Sequence, residues 1–98
     1  MRALVLERPG PLAVDEPLRL RDVPDPSAGA GELLLRVNAC AVCRTDLQLV
    51  EGDLAAHRLP TIPGHQVVGR VEAVGDGVTG WSVGERAAVG WLAETCGR

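Results

Sequence analysis

The stretch C-A-V-C-R-T-D, Cys40 to Asp46, sets two thiols three positions apart and follows them with a carboxylate. Further along, His65 stands in T-I-P-G-H-Q-V-V-G, between a rigid Pro-Gly turn and an apolar strand. Thiolate and imidazole are donors that zinc prefers, at bond lengths of about 2.0–2.3 Å. Cys43 and His65 lie at opposite ends of a loop, and Asp46 lies one helical turn from Cys43, where a carboxylate can orient a metal-bound imidazole. Taken alone His65 reads as a loop histidine hydrogen-bonded to backbone, and the whole arrangement lifts it above that; His57, beside Arg58 in a polar loop, reads as that alone.

The C-x-x-C spacing admits other chemistry. A structural zinc needs two further ligands at comparable spacing, and Cys96, His57 and His65 are the remaining candidates. A thioredoxin-type redox pair sits where a strand enters a helix of an α/β fold. The junction is present, but the α/β pattern around it is not. On the alternation of its strand, Cys40 points inward and reads as a small core residue. A second pattern, G-D-G-V-T-G from Gly75 to Gly80, matches G-x-G-x-x-G. A dinucleotide fingerprint must open a helix after a strand, and no helical period follows here. It reads as a turn between strands.

The elements that must position these residues are short. M-R-A-L-V-L-E is a strand closed by Pro9, Gly10 and Pro11, and P-L-R-L-R-D-V-P alternates as a half-buried strand should. E-L-L-L-R-V-N-A-C-A-V is long and apolar, and predicts a central strand that Cys43 ends. T-D-L-Q-L-V-E-G predicts a short helix over 45–50, with Thr45 or Asp46 as N-cap and Gly52 as the stop. Q-V-V-G-R-V-E-A-V is a strand with a glycine break, and V-G-E-R-A-A-V turns into another. Many short strands, frequent Gly and Pro and little helix predict a small β-barrel or sandwich.

Composition narrows the class. Ninety-eight residues make one domain with a modest core. Phe and Tyr are absent, so Leu, Val and Ala must fill that core, and Trp81 and Trp91 are the only large rings. The net charge is −3 and the arginines are scattered along the chain, which predicts no nucleic-acid groove. No apolar run approaches the length of a membrane span, the N-terminus is no signal peptide, and three cysteines are an odd number for a disulfide scaffold. The expectation is a cytoplasmic domain without nucleic-acid or membrane partners.

In order, C-A-V-C-R-T-D-L-Q-L-V-E-G-D-L, L-P-T-I-P-G-H-Q-V-V-G-R-V-E-A-V-G-D-G-V and V-G-E-R resemble the N-terminal half of zinc-dependent alcohol dehydrogenases, of the medium-chain dehydrogenase/reductase superfamily. The resemblance implies a mainly β fold over residues 1–98, a GroES-like partly open β-barrel with one or two short helices. A Rossmann domain for NAD(P) follows it in that family and is absent from residues 1–98. The resemblance implies Cys43 and His65 as catalytic zinc ligands, Thr45 as the group that passes the alcohol proton toward solvent, Asp46 as hydrogen-bond partner of the histidine, and Arg44 as a contact to the cofactor pyrophosphate. Cys40 matches no ligand. Cys96, in T-C-G-R, resembles the first ligand of a structural zinc lobe, and the sequence ends just before the second would occur.

Two residues depart from the family pattern. Gln48 stands where a relay histidine is common, and Gln66 replaces the glutamate that usually follows the zinc histidine. The implied function is the catalytic half of an oxidoreductase that moves hydride between a small alcohol or aldehyde and NAD(P), truncated and inactive alone. A free-standing metal- or partner-binding module that completes its site in trans, and a structural remnant without chemistry, stay open beside it. Trp91 and Leu92 are expected to face water and to favour self-association through the exposed cleft side. The family also implies a cis Leu59–Pro60 bond.

Overall fold

The computed structural model describes residues 1–14 and 16–92. The chain forms two compact units, each assembled from two stretches: Met1–Asp25 with Val42–Gly64, and Pro26–Ala41 with His65–Arg98. Most of the regular structure is strand, in two open sheets, with one short helix among the described residues. No helix there is long and apolar enough to cross a membrane.

In the first unit, β1 (Arg2–Leu6) pairs antiparallel with β2 (Leu18–Asp22), Leu6 opposite Leu18. The apolar, β-branched run of β1 ends before Pro9, which has no N–H to extend a ladder. Leu6 is fully buried and exchanges two backbone hydrogen bonds with Thr61, at 2.8 and 3.0 Å. Val5 and Val50 are buried in this unit as well. The alternation of β2 does not translate into burial, since Leu20 and its neighbours are exposed. Period-two patterning records the pleat, whereas burial also needs a second layer on that face. The Leu59–Pro60 peptide is cis.

Arg21 Nε donates to the Glu7 carboxylate at 2.9 Å. That hydrogen bond, and then the guanidinium charge, hold the Glu7 carboxyl below its ordinary value of 4.5. A lowered folded-state value makes the stabilisation complete above the unfolded value and removes it as pH falls through the folded one. Both groups are about half exposed, so the contribution is small and screened by salt. Glu7→Gln is therefore expected to lower the urea midpoint slightly at pH 7 in low salt, by a margin that shrinks as pH falls below the ordinary carboxylate value.

The second unit holds β3 (Leu33–Ala41), β4 (Gln66–Val74) and β5 (Arg86–Val89) in an antiparallel sheet of order β3-β4-β5. The central strand is thus β4, with Val71 buried on its inner face, and the long apolar β3 lies at an edge. The pairing of β3 slips between Leu34 and Leu35 and again between Val37 and Ala39. An extra residue in one strand re-aims the side chains beyond it. Cys40 lies beyond the second slip, opposite Val67 on the face that carries Val71, yet it is exposed and is not the core residue that its strand predicts. Opposite this irregularity stands Gly69, where an added Cβ would come within 2.5 Å of the Arg36 carbonyl oxygen. The glycine break in β4 is a close approach of two backbones.

The Gly75–Gly80 segment is a turn between β4 and β5, with Gly77 and Gly80 at φ of 78° and 80°. It docks on the turn before β3. Gly75 N–H donates to Glu32 O at 2.9 Å and Gly31 N–H to Asp76 O at 2.8 Å, while the Glu32 carboxylate accepts from Gly29 N–H at 2.9 Å. The glycine pattern answers to turn docking, with no helix behind it. Trp91 and Leu92 are 73% and 51% exposed, as expected. Cys96 and the cysteine-lobe reading attached to it lie outside the described residues.

Candidate functional site

The helix α1 spans Arg44–Glu51, one residue longer at each end than the 45–50 expectation. β3 ends at Ala41, and Cys43 does not close the strand but is itself the N-cap, with extended φ, ψ of −127° and 177°. Asp46 falls at N3 instead of the cap. There its carboxylate reaches back to the Cys43 amide, the second half of a capping box in which a cysteine occupies the usual Ser/Thr place. Gly52 closes the helix in the left-handed conformation at φ 93°, its N–H bonded to Gln48 O at 3.0 Å.

Asp46 is buried, and both of its carboxylate oxygens are engaged by backbone. Oδ2 accepts from Cys43 N–H at 2.9 Å and Oδ1 from Gly64 N–H at 3.1 Å. One side chain thus ties the loop that carries Cys43 to the residue that precedes His65. Val50, four residues on, is buried and seats the helix, and its carbonyl accepts from Gly10 N–H at 3.0 Å.

Cys43 and His65 are half-buried, while Arg44 and Thr45 are exposed on the first helical turn. Gln48 is half-buried on α1, and Gln66 is exposed at the first position of β4, paired with Ala41. His57 is exposed in a loop, as its surroundings predict. Cys43 and Asp46 belong to the first unit and His65 opens the second stretch of the other; their thiol, carboxylate and imidazole are donors of the kind that could hold a metal ion. A thiol, an imidazole and a carboxylate fit zinc, which binds S, N and O donors alike. The oxygens of the carboxylate already serve two amides. The sequence reading missed the Gly64 amide and the capping role of Cys43. The signal for the latter was Asp46 three residues after a residue of extended backbone.

The family description "Alcohol dehydrogenase GroES-like domain" matches residues 29–98. An alcohol dehydrogenase of Geobacillus stearothermophilus is 43% identical over 98 residues, covering 99% of this chain and 28% of its own length. A probable alcohol dehydrogenase of Mycobacterium tuberculosis is 45% identical over 102 aligned residues, covering 99% of this chain and 29% of its own. Among solved structures, the cobalt- and zinc-bound thermostable alcohol dehydrogenase of Pyrobaculum aerophilum matches at TM-score 0.81 and 40% identity, over 90% of this chain and 26% of that one. The chain therefore spans somewhat over a quarter of the length of these relatives. The open strand architecture, the one helix and the match over residues 29–98 agree, and the chain belongs to the alcohol dehydrogenase GroES-like domain family.

Proposed function

We propose that the chain supplies the catalytic part of an oxidoreductase that moves hydride between a small alcohol or aldehyde and NAD(P), with Cys43 and His65 as two ligands of a zinc ion. The observation that carries this reading is the Asp46 carboxylate, which fastens the Cys43 amide and the Gly64 amide to one buried anchor. Such an anchor holds a thiol-bearing residue still, and restrains the backbone beside an imidazole, before any metal arrives. Zinc, when bound, acts as a Lewis acid that polarises a substrate oxygen and lowers the pKa of its hydroxyl.

The remaining roles fall to exposed groups of the first helical turn. Thr45 offers a hydroxyl that both accepts and donates, as a proton relay requires. Arg44 offers a fixed fork of donors suited to a pyrophosphate. Gln48 can hydrogen-bond but does not titrate, so onward transfer to solvent runs through water. Hydride transfer needs a bound nicotinamide, and the described strands form antiparallel sheets, not the parallel doubly wound sheet whose switch point holds a dinucleotide. The 98-residue polypeptide assayed alone is expected to show no alcohol-dependent reduction of NAD(P).

Metal substitution tests the ligands without relying on turnover. Cobalt(II) bound through a thiolate gives a sulfur-to-metal charge-transfer band. That band is expected in the unaltered chain and in Cys40→Ala, and is expected to vanish in Cys43→Ala. Retention in Cys43→Ala with loss in Cys40→Ala would reverse the assignment. Loss of cobalt binding altogether in His65→Ala, with the fold intact by circular dichroism, would complete the pair.

A further inference from the structure

Arginines far apart in the sequence meet in the second unit. Arg36 of β3 pairs directly with Arg70 of β4, and Arg70 pairs directly with Arg86 of β5. Residues opposite one another in an antiparallel ladder share a face. All three are exposed, so one row of guanidiniums crosses the outward side of the whole sheet. With strands about 4.8 Å apart, the row spans roughly 10 Å at the backbone.

Like charges placed directly opposite disfavour the sheet that carries them. Neutralisation within the unit is partial. Glu72 pairs with Arg36, and the Gly84 carbonyl accepts from Arg70 Nη1 at 2.7 Å. Arg86 has no ion-pair or side-chain hydrogen-bond partner among the described residues. The adjoining row on the same face is Ala39, Val68 and Ala88, all exposed and small or flat.

We propose that this face docks an acidic polypeptide segment, with its carboxylates on Arg36, Arg70 and Arg86 and its small apolar side chains on the Ala39–Val68–Ala88 row. In an extended segment, side chains on one side recur roughly every 6.6 Å, a spacing that long arginine arms accommodate. Charge complementarity selects the carboxylates, and the flat apolar row selects a polypeptide. Nucleic acid is the poorer fit. Neither row offers an aromatic ring on which a base can stack, and the chain as a whole carries a net charge of −3.

A capped peptide of alternating Glu and Ala, titrated into the isotopically labelled chain, provides the probe. Saturable amide shifts are expected at Arg36, Ala39, Val68, Arg70, Arg86 and Ala88, weakening as salt is raised. Arg86→Gln is expected to weaken binding about threefold, and the Arg36→Gln/Arg86→Gln double variant about tenfold, as exposed ion pairs do. The Arg86 side chain makes no ion pair or hydrogen bond among the described residues, so an unmoved Val71 amide certifies that the variant is folded. Shifts located elsewhere, an unchanged affinity in Arg86→Gln, or tighter binding of an oligothymidylate of equal charge at these same residues would overturn the proposal.

Discussion

Gly75→Ala is expected to unfold the domain more readily than alanine at any other glycine whose surroundings are described. A Cβ at this position would lie 1.8 Å from the Gly29 carbonyl oxygen and 2.9 Å from that of Glu32. Both are backbone atoms and cannot swing aside as a side-chain tip could. Relief requires the two turns to part, which breaks the Gly75–Glu32 and Gly31–Asp76 hydrogen bonds together. Overpacking alone costs about 1–3 kcal/mol, and the lost bonds add about 1 kcal/mol each. Gly77→Ala supplies the comparison: nothing lies within 4 Å of its added carbon, so its cost is the left-handed backbone alone, about 1–2 kcal/mol. Equal urea midpoints for the two variants would show that the turns are not in contact.

Asp46→Ala is expected to rank next. It removes the acceptor for two backbone donors at once, Cys43 N–H and Gly64 N–H, inside a site where Asp46 itself is only 7% exposed. Each donor left unmet away from water costs about 1–3 kcal/mol. The loss concentrates where the bonds were, so amide exchange at Cys43 and Gly64 should accelerate well beyond that of Val71. Asp46→Asn keeps one oxygen as an acceptor and turns an NH2 group toward the other donor, so it should fall between the two. Wild-type exchange rates at Gly64 in Asp46→Ala would dismiss the carboxylate as the anchor of that loop.

Local chemistry made several elements readable from the sequence. Pro9 and Gly52 bound their elements because one lacks a donor and the other adopts positive φ, and both effects act within a few residues. The separation of G-D-G-V-T-G from a dinucleotide fingerprint rested on the missing helix, again a local observation. Features set by pairing were out of reach. The slip near Asn38 decides which faces Ala39 and Cys40 take, the edge position of β3 follows from strand order, and the arginine row exists only through register. At the candidate site, Asp46 was singled out by residue type and distance from Cys43. Its place at N3 depended on where the helix starts, and a residue's shift there changes which side chain reaches back.

The interleaving of the two units constrains how the chain can be built. Residues 1–25 need 42–64, and residues 26–41 need the stretch from His65 onward. As the polypeptide leaves the ribosome, β1 and β2 can pair early, but α1 and Thr61 arrive only after β3 has emerged without its partner β4. For that interval β3 is a nine-residue unpaired strand whose first half is apolar, the kind of segment that nascent chains shield with chaperones. Its charged Arg36 and irregular pairing are features that discourage mispairing of such an edge. Rearranging the gene so that each unit reads continuously should shorten this exposure, whereas dividing it at residue 41 would separate the two stretches of both units, and dividing it at residue 25 those of the first alone.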